Sequence, residues 1–270
     1  MIINTFSYLW SAHAVDVMCD LTSHRYRVFE VPISSPHCWP DEMTPAMRKE
    51  ARKRLQDCGA VVRSLNAGGY DINLASPAAN MRRKSTDHIK DVMDLAFEWG
   101  ATDVVISPGT RRPMISPPLP LTLGWLSESL ERLLPRARQA GVRLLLENTP
   151  YCFRPTLAEM AGVVNDVGDE TLGIVYDVAN AAFIGEDPVT GLLAHHAAIG
   201  LVHVSDTTIA EWGHDPIGTG VVDFESLGKA VQATGKGKDV VLEIIREKDP
   251  LGEIRTGLHA LKKLGWTVSP

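Results

Sequence analysis

The chain has 270 residues, of which 44% are hydrophobic and 22% are charged, and its formal net charge at pH 7 is −6. This length is enough for a large buried core and lies in the range of a single α/β barrel, and the composition is that of an ordered globular protein. The negative charge argues against nucleic acid as a partner, because binding its phosphates requires an excess of lysine and arginine.

The cysteines and the N-terminal residues predict a location inside the cell. Cys19, Cys38, Cys58 and Cys152 contain no C-x-x-C pair, so we expect reduced thiols rather than a zinc knuckle or a dense disulfide frame. The first residues lack the basic flank and long apolar stretch of a signal peptide, and no apolar run approaches the roughly 20 residues that span a bilayer. We therefore predict a cytoplasmic protein without a membrane partner.

Eight short apolar runs predict β-strands at residues 2–8, 28–33, 61–65, 103–107, 142–147, 172–177, 200–204 and 240–244. They are nearly continuous in hydrophobicity, as expected of strands that are buried on both faces of a parallel sheet. Helical patterns separate them; two end at Gly100 and Gly141, and Pro135 should kink the second without abolishing it. This alternation predicts an α/β fold, a single (β/α)8 TIM barrel over residues 1–270. An open doubly wound sheet is the alternative, weakened because no G-x-G-x-x-G follows the first strand.

Each of the last four predicted strands ends near a residue that can bind a metal ion: Glu147, Asp177, His203 and Glu243. In a TIM barrel the C-terminal ends of the strands form the active-site face. Three carboxylates and one imidazole suit one divalent cation, Mn²⁺, Mg²⁺, Co²⁺ or Zn²⁺. A single acidic residue at a strand end is often only the cap of the next helix, but four residues at equivalent places favour a metal site.

Several segments, LLLENTP, IVYDVANA, LVHVSDT, HDPIGTGVVDF and VVLEI, resemble the xylose isomerase-like TIM barrel superfamily, the sugar phosphate isomerase/epimerase family. DINLASP at residues 71–77 extends this likeness over nearly the whole chain. The resemblance implies one divalent metal ion, Mn²⁺ in the first place, bound by Glu147, Asp177, His203 and Glu243. It also implies that Glu147 and Glu243 move the proton of a small sugar-like substrate, and that the chain forms a homo-oligomer, a dimer or a tetramer.

The chemistry that these residue types support is proton transfer next to a carbonyl. Removing that proton creates an enediolate, whose charge a chelated metal stabilises, while carboxylates beside it serve as general base and general acid. We predict a metal-dependent isomerase or epimerase of a keto sugar or sugar derivative. The alternative is a lyase on the same scaffold, of the inosose or dehydroshikimate dehydratase type or a subunit that cleaves 3-keto C-glycosides. A third hypothesis is that the barrel serves as a binding or subunit-interface protein without catalysis.

Four further polar residues are candidates for binding the substrate: Asn180, Asp206, His214 and Arg246. Asn180 takes the position, three residues after Asp177, at which many members of the resembled family carry a histidine, so we expect the particular reaction of this chain to be decided there. The alternative roles are a helix cap for Asp206, loop hydrogen bonds for His214 and a surface salt bridge for Arg246. Aromatic side chains near the predicted rim that could stack on a sugar ring are Tyr8, Trp10, Trp39 and Trp212.

Overall fold

The computed structural model describes residues 1–68 and 71–268, and the strands in those ranges close into an eight-stranded barrel. They are β1 (Ile2–Asn4), β2 (Val28–Pro32), β3 (Val61–Ala67), β4 (Asp103–Ile106), β5 (Arg143–Glu147), β6 (Leu172–Asp177), β7 (Ile199–Val204) and β8 (Val240–Leu242). Each pairs in parallel with the next, and β8 pairs with β1. The predicted (β/α)8 TIM barrel is therefore confirmed.

The helices of the described residues surround this barrel. They are α1 (Ala14–Ser23), α2 (Pro45–Cys58), α3 (Ala79–Trp99), α4 (Leu119–Ala140), α5 (Leu157–Val167), α6 (Val178–Phe183), α7 (Pro188–His195), α8 (Phe224–Ala233) and α9 (Pro250–Lys263). Short 3-10 helices lie at Phe6–Tyr8, Pro40–Glu42, His196–Ala198 and Lys236–Lys238. Gly100 and Gly141 end α3 and α4 in the left-handed conformation, as predicted, and α4 continues through Pro135.

The first and the last strand are shorter than the sequence predicts by more than one residue. The strand expected at residues 2–8 ends at Asn4, because the Asn4 Oδ1 atom accepts a hydrogen bond from the Phe6 backbone nitrogen at 2.7 Å and the chain turns into a 3-10 helix. The strand expected at residues 240–244 ends at Leu242. The backbone nitrogen of Glu243 still donates to the Val204 carbonyl at 3.0 Å, so Glu243 remains fixed against β7.

An apolar layer fills the middle of the barrel: Ile2, Val105, Leu145, Val175, Leu201 and Val241, all at most 2% exposed. Side chains two residues apart on a strand point to the same face. Leu145, Val175, Leu201 and Val241 each precede one of the predicted metal ligands by two residues. The ligands therefore point into the barrel as well, on top of the apolar layer and at the C-terminal end.

The structure corrects the prediction that all four cysteines are reduced. Cys19 and Cys58 form a disulfide between α1 and the end of α2, whereas Cys38 and Cys152 are free and buried. The bonded pair is 39 residues apart in sequence, so only the packing of α1 beside α2 brings the two sulfurs together. Within residues 1–68 and 71–268, none of the helices is both long and apolar enough to cross a membrane.

Candidate metal centre

Four side chains from consecutive strands meet at the C-terminal end of the barrel. Glu147 ends β5, Asp177 ends β6, His203 lies in β7 and Glu243 directly follows β8. All four are buried, and one ligand atom of each lies within 4.8 Å of the others. Two atoms that each bind one cation at about 2.0–2.3 Å can lie up to roughly 4.6 Å from each other, so this spacing is close to that of a metal site. The structure thus brings together the four predicted ligands as one candidate metal centre.

The two nitrogens of the His203 ring face different carboxylates. Nδ1 lies 2.7 Å from Glu243 Oε2 and 3.4 Å from Glu147 Oε1, so this nitrogen belongs to the candidate centre. Nε2 lies 3.1 Å from Oε1 of Glu30, which is fully buried. A histidine that donates one N–H to a carboxylate keeps the other nitrogen free to bind a metal ion. Glu30 therefore orients His203 for binding through Nδ1.

A buried oxygen without a partner shows that these residues fit a cation. Asp177 Oδ1 accepts a hydrogen bond from the Asn180 backbone nitrogen at 2.7 Å, but Asp177 Oδ2 is buried and has no hydrogen-bond partner among the described residues. Leaving such an oxygen unsatisfied costs on the order of 1–3 kcal/mol or more. A divalent cation bound by Oδ2 would satisfy this oxygen and offset the surplus of carboxylates around it.

The pKa values of two of the ligands, Glu243 and His203, are shifted by burial and by the charges around them. Burial raises the pKa of Glu243 to about 7, although the neighbouring His203 acts in the opposite direction. Burial by itself lowers the pKa of His203, but the charges of Glu243 and Glu30 outweigh it and raise that pKa well above its ordinary value. The pocket is thus built to attract positive charge, as a cation site requires.

Supporting side chains that the sequence analysis did not predict hold this arrangement in place. Glu30 accepts hydrogen bonds from Ser64 Oγ at 2.6 Å and from Asn4 Nδ2 at 2.8 Å, and Asn4 Nδ2 also lies 3.0 Å from Glu243 Oε1. Asn148 exchanges two hydrogen bonds with the backbone of Asp177, at 2.7 and 2.9 Å. One signal could have found Asn4 and Glu30: they occupy, on the first two strands, inward positions like those of the ligands on the later strands.

Two of the predicted substrate-binding residues lie beside the centre. His214 Nδ1 is 3.6 Å from Asp177 Oδ2, 3.7 Å from Glu243 Oε2 and 3.0 Å from Ser205 Oγ. Asn180 is 2% exposed and follows Asp177 in the first turn of α6. Both residues thus lie next to metal-ligand residues, and a role in substrate binding stays a prediction for both.

The other two predicted residues make contacts away from the ligands. Asp206 is fully buried, and its carboxylate accepts hydrogen bonds from four backbone nitrogens of its own loop, those of Thr207, Gly218, Gly220 and Val222, at 2.8–3.1 Å. A Cβ atom on Gly220 would lie 2.0 Å from the backbone oxygen of Thr207 and 2.5 Å from Asp206 Oδ1, so only glycine fits there. Arg246 forms an ion pair with Asp215 of the same loop. Asp206 therefore organises loop 207–222, and a role in substrate binding stays a prediction for both residues.

The aromatic residues of the rim differ in their distance from the centre. Trp212 is partly exposed and lies edge-on to the rings of Tyr151, at 5.4 Å, and of His214, at 6.1 Å. Trp39 instead stacks on His88 of α3 at 4.2 Å, and Trp10 is 68% exposed. Of the three tryptophans predicted near the rim, Trp212 is the one whose ring contacts a neighbour of the metal ligands.

Comparisons with known proteins agree with this architecture. The family model described as xylose isomerase-like TIM barrel matches residues 21–264. L-ribulose-5-phosphate 3-epimerase UlaE of Escherichia coli strain K12 is 22% identical over 199 residues, which cover 73% of this chain and 67% of that protein. A crystal structure of a D-tagatose 3-epimerase-like protein has a TM-score of 0.82 at 21% identity and covers 98% of this chain and 97% of its own. The IolI protein, crystallised with a zinc atom, has a TM-score of 0.82 at 18% identity and 99% coverage of both chains. At such identities the structural likeness shows a shared fold.

Proposed function

The chain belongs to the xylose isomerase-like TIM barrel family, and we propose that it is a divalent-metal-dependent isomerase or epimerase of a keto sugar or sugar derivative. The observation that carries this proposal is a pair of buried glutamates, Glu147 and Glu243, that flank one candidate metal centre from non-adjacent strands. UlaE and the D-tagatose 3-epimerase-like protein carry the names of enzymes that invert a sugar carbon, which supports the same reaction class.

The residues around the centre suit proton transfer next to a carbonyl. Glu147, Asp177, His203 and Glu243 would hold the metal ion, which when bound supplies a Lewis acid for the charge that develops on the carbonyl oxygen. Because Glu147 and Glu243 approach from different strands, one glutamate removes the proton and the other returns it from another side. His214 lies close enough to donate a hydrogen bond to a substrate oxygen at the same place.

A second candidate function is a lyase on the same scaffold, and the position of His214 favours it. A lyase begins with the same proton removal but then needs a general acid for the departing β-substituent. His214 lies within 3.7 Å of Asp177 and Glu243 and can supply that proton, whereas Asn180 carries no titratable side chain. Inososes, dehydroshikimate and 3-keto-glycosides are the substrates that would show such an elimination.

Nuclear magnetic resonance in deuterium oxide separates the two candidates. The protein is incubated with Mn²⁺ and, in turn, with ketoses, ketose phosphates, inososes, dehydroshikimate and 3-keto-glycosides. Deuterium at the carbon next to the carbonyl, with every hydroxyl retained, is the expected result. Loss of a β-substituent would instead assign the lyase. If no compound shows deuterium incorporation or elimination, the result favours a protein that binds without catalysis.

Two single variants test the roles of the glutamates. Glu147→Gln and Glu243→Gln should each lower turnover by about 100-fold or more, because each removes a group that accepts or returns the proton. Glu131→Gln, on the exposed surface of α4, is the matched control and should keep wild-type turnover. Near-normal turnover in both active-site variants would reject the two-glutamate scheme.

A further inference from the structure

Three side chains meet on the rim beside the candidate metal centre: Tyr151, Asn180 and Trp212, here called the rim wall. They belong to the segments that follow β5, β6 and β7, the strands that supply three of the four metal ligands. Because all strand C-termini of a parallel barrel open on one face, the rim wall borders the space above those ligands.

A hydrogen bond inside the rim wall fixes the orientation of the Asn180 amide. Trp212 Nε1 lies 2.7 Å from Asn180 Oδ1, and an indole nitrogen can only donate, so the amide oxygen faces Trp212 and Nδ2 points elsewhere. In residues 1–68 and 71–268, Asn180 Nδ2 has no hydrogen-bond partner, although the residue is only 2% exposed. A side-chain donor with no partner among the described residues is available to a polar atom of a ligand or of water.

The indole of Trp212 is held at a fixed angle but is not covered. Its N–H is bound by Asn180, and the Tyr151 ring packs edge to face against it at an interplanar angle of 77°. Tyr151 is 50% exposed and Trp212 is partly exposed, so the wall keeps open aromatic surface. His214 connects the two places: its ring lies edge-on to Trp212 at 6.1 Å, and its Nδ1 atom lies 3.6 Å from Asp177 Oδ2 and 3.7 Å from Glu243 Oε2. A molecule bound at the centre and larger than a few atoms would therefore touch this surface.

We propose that the rim wall binds the ring of a cyclic polyhydroxylated substrate, with Trp212 against its C–H face and Asn180 Nδ2 donating to a ring hydroxyl. Asn180 is then a positioning residue for Trp212 as well as a contact of the substrate. A flat surface and a donor in fixed positions match a rigid ring, whereas an open-chain sugar would lose torsional freedom to reach both. This inference rests on the proposed function, because it takes the metal centre as the place of reaction.

Binding of two unreactive polyols tests the preference for a ring. Isothermal titration calorimetry in the presence of Mn²⁺ compares myo-inositol, which is cyclic, with xylitol, which is open-chain; neither has a carbonyl, so binding is measured without turnover. Trp212→Ala should weaken myo-inositol binding by about tenfold and xylitol binding by less than about twofold. Phe97→Ala, which removes an exposed aromatic ring from α3, is the matched control and should change neither.

A double-mutant cycle tests the positioning role of Asn180. Trp212→Phe keeps a ring but loses the N–H group, and Asn180→Ala loses its acceptor, so each single variant should weaken myo-inositol binding severalfold. The myo-inositol affinity of the double variant should fall by less than the product of the two single-variant factors, because both substitutions break the same hydrogen bond. Asn180→Asp keeps an acceptor for the indole and lacks the amide donor, so it should weaken myo-inositol binding while Trp212 stays in place. Thermal unfolding of each variant confirms that it is folded.

Three outcomes would overturn the inference: no binding of myo-inositol to the wild type, equal losses for the two polyols in Trp212→Ala, or independent effects in the double variant. The outcomes also separate this inference from the proposed function. Proton exchange in a sugar with no effect of Trp212→Ala on binding rejects the rim wall alone. Ring-selective binding without proton exchange in any of the tested sugars rejects the proposed function alone.

Discussion

The buried carboxylate of Glu30 should control metal affinity although Glu30 is not a ligand. It accepts hydrogen bonds from Ser64 Oγ at 2.6 Å and Asn4 Nδ2 at 2.8 Å, and it lies 3.1 Å from Nε2 of His203. The charge and hydrogen bond of His203 outweigh burial and lower the pKa of Glu30, so it is ionised at neutral pH. We predict that Glu30→Gln weakens divalent cation binding by about 10- to 100-fold.

The size of this effect follows from the number of hydrogen-bond donors that face the Glu30 carboxylate. A glutamine has one acceptor oxygen and adds an NH₂ group, so it cannot accept from Ser64, Asn4 and His203 together. If His203 loses its acceptor, the loss of one charge-assisted hydrogen bond of about 1.5–3 kcal/mol corresponds to roughly 10- to 150-fold in affinity. In addition, the ring proton of His203 is then no longer held on Nε2. If it moves to Nδ1, it occupies the nitrogen that faces the other ligands and that would bind the metal ion.

Competition titrations of Mn²⁺ and Zn²⁺ measure this loss directly. Ser64→Ala is the matched control: it removes one donor to Glu30 but leaves the carboxylate facing His203, so its affinity should fall by less than about threefold. Thermal unfolding of the metal-free proteins shows whether either variant has lost its fold. Wild-type affinity in a folded Glu30→Gln protein would refute the view that Glu30 orients His203.

Three further predictions concern the metal, pH and a loop. Mn²⁺ or Zn²⁺ should raise the thermal unfolding midpoint of the wild type, and chelation should reverse this rise. Asp177→Asn neutralises a ligand, so its midpoint should rise much less. Equal shifts in the two proteins would contradict the assignment of Asp177 as a ligand. Burial lowers the pKa of His37 to about 4, and its neutral ring accepts from Thr5 Oγ1 and donates to the Ala12 carbonyl. The unfolded chain binds this proton near pH 6.5, so stability is complete above that pH and falls by up to about 3 kcal/mol as the pH drops toward 4. Denaturant unfolding at pH 7 and pH 4 should show a smaller difference in His37→Asn; an unchanged difference would speak against His37. Asp206→Asn leaves backbone donors of loop 207–222 without acceptors, so it should cost at least about 2 kcal/mol and lower the thermal midpoint by several degrees, and a wild-type midpoint would reject its structural role.

The sequence alone predicted the barrel and the four candidate ligands. Strands that are buried on both faces read as continuous apolar runs, and their alternation with helices is a property of local sequence. In a parallel barrel every strand points the same way, so a residue at the end of a strand lies at the same rim as its equivalents. For this reason Glu147, Asp177, His203 and Glu243 could be grouped without knowledge of any distance.

Only the tertiary structure decided what surrounds these ligands. Asn4 contacts Glu30 and Glu243, which are 26 and 239 residues away, and the partner of Asn180 is Trp212 from the next segment of the rim. The disulfide between Cys19 and Cys58 likewise depends on two helices lying side by side. Hydrogen bonds and disulfides act over a few ångströms and need set angles. Spacing along a chain says which residues share a rim, but it does not say which of them touch.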